Sequence, residues 1–229
     1  MDDSKMERWG AAGGILFVVL TAVGALLPGS PPKTSDSVAK IVKFFNDHPN
    51  AIKWSAYVSL LGLIGLFWFL GSVWRVMRRG EGGTPLLTVS AFAGAILASA
   101  LASVGAIVLA VVPIAGVRNI GPQGVRFFYI MSSNIGVGTE VGIVVFVLFF
   151  SLVIIRSRVL PAVMGWLGLV VAALAVVGGA IVSTTSDGIF FVSFAGFLAF
   201  LLWTLVVSIL MLRGPSVPAA ANRAEMSAA

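Results

Sequence analysis

The sequence predicts an all-α membrane protein: a bundle of about six transmembrane helices with a short amphipathic surface helix after the first span. Three observations predict it. Of 229 residues, 59% are hydrophobic and 10% charged, with a mean hydropathy of +1.04, whereas soluble domains carry about a quarter charged residues. Apolar runs of about twenty residues recur along the chain, each long enough to cross a hydrocarbon core of about 30 Å at 1.5 Å per residue. Between the first two runs lies one segment that is polar yet periodic. Residues 1–213 read as a single transmembrane domain, and 214–229, opening Gly214-Pro215-Ser216-Val217-Pro218, as a disordered cytoplasmic tail with nothing to bury.

The first span covers residues 9–27 and closes at Pro28, Pro31 and Pro32. A cleaved signal peptide with a cut between Ala22 and Ala25 is the alternative; the chain as it stands retains Met1, and we read an uncleaved helix. The polar periodic segment follows, over 36–47. Val38, Ile41, Val42 and Phe45 share one face, while Asp36, Lys40, Lys43 and Asp47 lie off it. Ser35 is placed to cap it and His48-Pro49 to stop it. It reads as a helix on the outer membrane surface, or else as a lid over an outward cavity.

The second span covers 52–76, and the turn Arg78-Arg79-Gly80-Glu81-Gly82-Gly83 leads to the third, 86–112, with Thr84 as cap and Pro85 in its first turn. Pro113 and Gly121-Pro122 bracket the next connection. The fourth span covers 127–155, the fifth 160–182 after the Arg156/Arg158 turn, and the sixth 189–212 after Ser186-Asp187-Gly188. With the N-terminus cytoplasmic, Lys5, Arg8, Arg75, Arg78, Arg79, Arg156, Arg158, Arg213 and Arg223 fall inside. Lys33, Lys40, Lys43, Lys53, Arg118 and Arg126 fall outside. The densest basic clusters are then internal, as the positive-inside bias requires, and both termini are cytoplasmic. The net charge of +6 therefore reports topology and contact with membrane lipids, not a nucleic-acid partner.

Helices in lipid associate through close backbone approach, which small residues allow. The third span repeats Ser90, Gly94, Ala98, Ala102, Ala106 and Ala110 every fourth residue, and the fifth carries Gly165, Gly168, Ala172, Ala175 and Gly179. Gly94, Ala98, Ala102, Gly165, Gly168 and Ala172 are the expected packing faces, within the chain or in a homo-oligomer. In the sixth span Phe190, Phe194 and Phe197 share a face that could wall an apolar pocket or serve as plain bulk.

The fourth span holds the one acidic residue inside any span, Glu140, in the stretch Ser132-Ser133-Asn134-Ile135-Gly136-Val137-Gly138-Thr139-Glu140. An acid at mid-membrane costs about 2.5–3.5 kcal/mol on insertion scales and is seldom idle. Sixteen residues from Arg156, it lies about 24 Å along the helix, in the outer third of the bilayer. Glu140, Asn134, Ser133 and Thr139 form the candidate polar site. A protonated Glu140 could fix helix register across the bundle, or the carboxyl could couple protons or hold a polar head group.

Several chemistries are excluded. There is no cysteine, so no disulfide or thiolate metal site, and His48 is the one histidine. No H-E-x-x-H, phosphate loop or Ser/His/Asp set occurs. Gly136-x-Gly138 before Glu140 lacks the second acid that an aspartyl dyad needs. We therefore expect no catalytic residue, cofactor or metal.

Two stretches carry a resemblance. Thr34-Ser35-Asp36-Ser37-Val38-Ala39-Lys40-Ile41-Val42-Lys43-Phe44-Phe45-Asn46-Asp47-His48 precedes a span ending Trp74-Arg75-Val76-Met77-Arg78-Arg79, and Leu160-Pro161-x-x-x-Gly165-Trp166-Leu167-Gly168 opens the fifth span. Together the chain resembles a family of uncharacterised six-helix integral membrane proteins common in actinobacteria. The resemblance implies a plasma-membrane location and six spans, and brings no site residues. The expected function is a non-enzymatic membrane protein that binds a lipid or other apolar molecule or serves as a subunit of a larger membrane complex. The alternative is a small proton-coupled secondary transporter using Glu140.

Overall fold

The computed structural model describes residues 3–180 and 187–213, with side chains from 9 to 180 and from 191 to 213. The tail beyond Arg213 and the far end of the fifth expected span lie outside them. Seven helices are described and no strand: α1 (Asp3–Leu26), α2 (Val38–Asp47), α3 (Pro49–Glu81), α4 (Leu86–Ala115), α5 (Val117–Ser157), α6 (Ala162–Gly179) and α7 (Asp187–Arg213). All but α2 are long and apolar enough to cross a membrane, and the chain is a multi-pass membrane protein.

The six long helices form a closed ring in chain order, because each packs on its successor and α7 returns to α1. Every neighbour pair is antiparallel. Gly13 meets Gly65 and Gly24 meets Ser59 between α1 and α3. Trp74 stacks edge-on against Phe92 between α3 and α4. Gly94 meets Gly142 while Gly105 meets Ile135 between α4 and α5. Gly14 of α1 meets Ser208 of α7, and Phe17 meets Phe200.

The small-residue positions divide by what they touch. A Cβ on Gly94 would stand 2.8 Å from the Gly142 carbonyl oxygen, and one on Gly142 would stand 2.5 Å from the Ala98 amide nitrogen. Side chains cannot enter such a backbone contact. Gly165 and Gly168 seat against Ser151 of α5, Gly168 also against the Trp203 indole, and Ala172 is buried in the same core. Ala102 also borders a cavity.

The half of the ring that carries Asp3 and Arg213 is filled. Phe69, Val73, Met77, Phe146, Phe150, Trp203 and Val207 form a continuous core there. Trp203 packs edge-on to Phe146 and Phe150 and donates from Nε1 to the Met164 carbonyl at 2.9 Å. That bond satisfies the one polar atom an indole brings into a core.

The other half is capped by α2. Its side-chain cap is Ser37, whose hydroxyl accepts from the Lys40 amide at 3.3 Å, and not Ser35. The helix ends at His48, and α3 starts directly at Pro49, a first-turn position where the missing N–H costs nothing. Ile41 and Phe45 are fully buried against Ile52, Val112, Val125 and Tyr129. The apolar stripe of α2 is thus spent on α3, α4 and α5, while Lys40, Lys43 and Asp47 stay exposed.

Two local expectations are corrected. Thr84 makes no cap; the Glu81 carboxylate accepts from the amides of Leu87 (2.6 Å) and Thr88 (2.9 Å) and from the Thr88 hydroxyl. An acid reaching over from the preceding helix offers two acceptors to the free amides of a helix start. Pro113 does not end α4, which runs to Ala115 and stops at Gly116 with φ 85°; a proline so near the last turn removes one bond of the ladder. Gly121-Pro122 does break α5, since Gly121 has φ 75° and ψ 161°.

Candidate functional site

Two hydroxyls in the polar stretch of α5 are satisfied by bonding back to their own helix. Ser133 donates to the Tyr129 carbonyl at 3.0 Å and Thr139 to the Ile135 carbonyl at 3.4 Å. The glycines face different surroundings. Gly142 is locked on α4, Gly138 lies against Leu101, and a Cβ on Gly136 would meet nothing within 4 Å.

That open space is a cavity of about 480 Å³ between the filled core and the α2 cap. Leu101, Ala102, Gly105 and Leu109 of α4 form one wall. Ser133, Asn134, Gly136, Thr139 and Glu140 of α5 form the second, and Ser193, Phe194, Phe197 and Phe200 of α7 the third. All four residues of the polar candidate site therefore border one cavity, and so do Phe194 and Phe197. The side chain of Phe190 lies outside the described residues. Asn134 and Phe194 are both exposed, so the cavity reaches the surface of the bundle.

Glu140 sits where α5, α6 and α7 meet. Its Oε1 accepts a hydrogen bond from the Ser193 hydroxyl. Its Oε2 is buried without a hydrogen-bond partner among the described residues, and a Cβ on Gly179 would stand 3.5 Å from it. Among the described residues no Lys, Arg or His borders the cavity. A buried carboxyl oxygen left unpaired costs of the order of 1–3 kcal/mol.

Pro32 and Thr34, from the loop between α1 and α2, close the cavity above Tyr129. The Tyr129 hydroxyl donates to the Pro32 carbonyl, tying this loop to α5. The loop is braced by Asp36, whose Oδ2 accepts from the Lys33 amide at 2.8 Å and pairs with the Lys40 ammonium at 2.7 Å. The Lys40 contact first, and the Lys33 amide after it, hold the Asp36 carboxyl below its ordinary value.

Ser193, Tyr129 and Pro32 are absent from the sequence-derived set. Ser193 had a signal, as the one hydroxyl in the apolar run Phe190–Phe200. Tyr129 and Pro32 had none, since their pairing spans 97 positions. Comparison with protein-family models, with curated proteins and with solved structures gives no match, so the functional reading rests on this geometry.

Proposed function

We propose that this is a non-enzymatic plasma-membrane protein, both termini cytoplasmic, that binds one amphipathic molecule in the cavity beside Glu140. One observation carries the reading: the polar cluster of α5 and the phenylalanine wall of α7 border the same space. A head group would sit at Glu140 and an apolar body along Phe194, Phe197 and Phe200. The volume of about 480 Å³ is within the range of small-molecule sites, which pair mostly apolar walls with few polar groups. In the proposed orientation the cavity lies in the outer half of the bilayer, and the filled core closes the inner half.

Native mass spectrometry in a mild detergent tests this. The wild-type chain is expected to retain one lipid-sized adduct. Gly136→Leu, which fills the cavity from a position with open space around it, is expected to lose that adduct while staying folded. Equal retention by both proteins overturns the reading. The same spectra report a homo-oligomer or a further membrane subunit.

A second reading, proton-coupled transport through Glu140, draws support from the asymmetry between a hollow half and a filled one. A carrier occluded at one side has that form. It requires proton flux in liposomes that Glu140→Gln abolishes, and flux that survives the substitution removes it.

A further inference from the structure

We propose that the end of the bundle carrying Asp3 and Arg213 holds a site for the phosphate of an anionic membrane lipid, built from Arg78, Arg156 and Arg158. It is separate from the cavity beside Glu140 and does not rest on it. One backbone contact organises it. Gly80, near the end of α3, lies against the turn between α5 and α6: a Cβ there would crowd the Ser157 hydroxyl and stand 2.9 Å from Val159 Cγ1. Arg78 comes two residues before Gly80, and Arg156 and Arg158 stand on either side of Ser157. Three arginines are thus gathered where two turns pack together. Arg156 and Arg158 are exposed and make no ion pair among the described residues, and Arg78 gives one N–H to the Gly83 carbonyl at 3.2 Å. Glu81, the acid nearest to them in sequence, commits both carboxylate oxygens to the start of α4. On α2 the pattern is the opposite, since Lys40 and Lys43 are paired with Asp36 and Asp47.

Backbone conformation singles out Arg158. It closes α5 with φ 55° and ψ 28° and is the one non-glycine residue with positive φ among the described residues. Glycine is the usual occupant of such a position, because a Cβ is strained there. An arginine held against that strain is there for its side chain. The surroundings favour a lipid over a soluble phosphate. The helix α6 starts just after the turn, and its Val163, Trp166, Leu167 and Val170 form one exposed apolar face. Trp166 lies near the start of that face, as indoles do at the level of the head groups. A phosphate held by the arginines through paired, charge-assisted N–H bonds then has its acyl chains running along α6. In the proposed orientation this end meets the cytoplasmic leaflet, where anionic lipids concentrate.

The experiment is a competition read by native mass spectrometry. The full chain is held in a neutral detergent, which strips lipid from an open surface, and is then offered equal concentrations of phosphatidylglycerol and phosphatidylcholine with the same chains. The expected result is at least about fivefold more phosphatidylglycerol adduct. Arg156→Gln with Arg158→Gln is expected to bring the two lipids to equal binding. Arg118→Gln with Arg126→Gln removes the same charge from the other end and is expected to leave the preference intact, as is Gly136→Leu. Equal binding of both lipids by the wild type, or an equal loss in the two double variants, means diffuse attraction and overturns the site. A preference lost in Gly136→Leu places the lipid in the cavity and also overturns it. Displacement of phosphatidylglycerol by excess glycerol 3-phosphate or by hexaglutamate overturns the lipid assignment in favour of a soluble phosphate or an acidic protein segment. Arg158→Gly keeps the test readable if the glutamine pair fails to fold, because glycine relieves the strain at this position. That variant is expected to melt no lower than the wild type while its preference for phosphatidylglycerol falls, and an undiminished preference overturns the role given to Arg158.

Discussion

Ser193 of α7 donates its hydroxyl proton to the carboxyl of Glu140 on α5, fifty-three positions earlier in the chain. This bond joins two helices that are not neighbours in the ring, across the end of α6, and it fixes where the carboxyl sits. Among the described residues, Ser193→Ala leaves both carboxyl oxygens without a hydrogen-bond partner. It is expected to lower stability by about 1–3 kcal/mol, read by unfolding in mixed detergent, with no change in helix content. An unchanged midpoint would mean that the bond contributes nothing.

The glycines of α5 make a graded test of packing. Gly142→Val drives a side chain into the backbone of α4 at 2.5–2.7 Å and is expected to cost at least 1–3 kcal/mol, or to prevent monodisperse purification. Gly136→Ala meets open space and replaces a poor helix former, so it is expected to gain up to about 1 kcal/mol. Thermal midpoints that move the same way in both variants would contradict the assignment of the two faces.

The cap can be loosened separately. Phe45 is 1% exposed in the small cluster that holds α2 down, and Phe45→Ala is expected to cost the cap about 3–5 kcal/mol. Hydrogen exchange across 38–47 is expected to rise, while exchange in the core around Phe150 stays slow. Unchanged protection of α2 would show that the cap is held by something other than its apolar stripe.

How much of this was legible beforehand follows from what each feature depends on. The spans were legible because apolar length is a local property. The amphipathic face of α2 was legible too, but periodicity names a buried side without saying whether lipid or protein covers it. Ile41 and Phe45 meet Val125 and Tyr129, residues that no local pattern links to them. Glu140 stood out as a charge where none is cheap. That it shares a cavity with Phe194 and Phe197 depends on the ring bringing α7 near α5, which no spacing within one helix encodes. The capping of α4 by Glu81 was missed for a related reason, since cap rules look at the residues just before a helix.

Asp36 gives a pH test. Its folded value lies below the ordinary 3.8, so its contribution is fully present above that pH and is lost as pH falls through the lowered value. At pH 6 the loop over 29–37 is expected to be better protected from proteolysis in the wild type than in Asp36→Asn. As pH falls below 3.8 and through the lowered value, the difference is expected to narrow and vanish. A difference that persists at the lowest pH would mean that the carboxylate charge is not what braces the loop.

The central claim is that the cavity beside Glu140 is a binding site. It is tested most directly by an experimental density map of the protein purified with lipid present. The expected result is elongated non-protein density along Phe194 and Phe197, ending within hydrogen-bond distance of the Glu140 carboxyl. A cavity collapsed by inward side chains, or one holding water alone at full resolution, would contradict it.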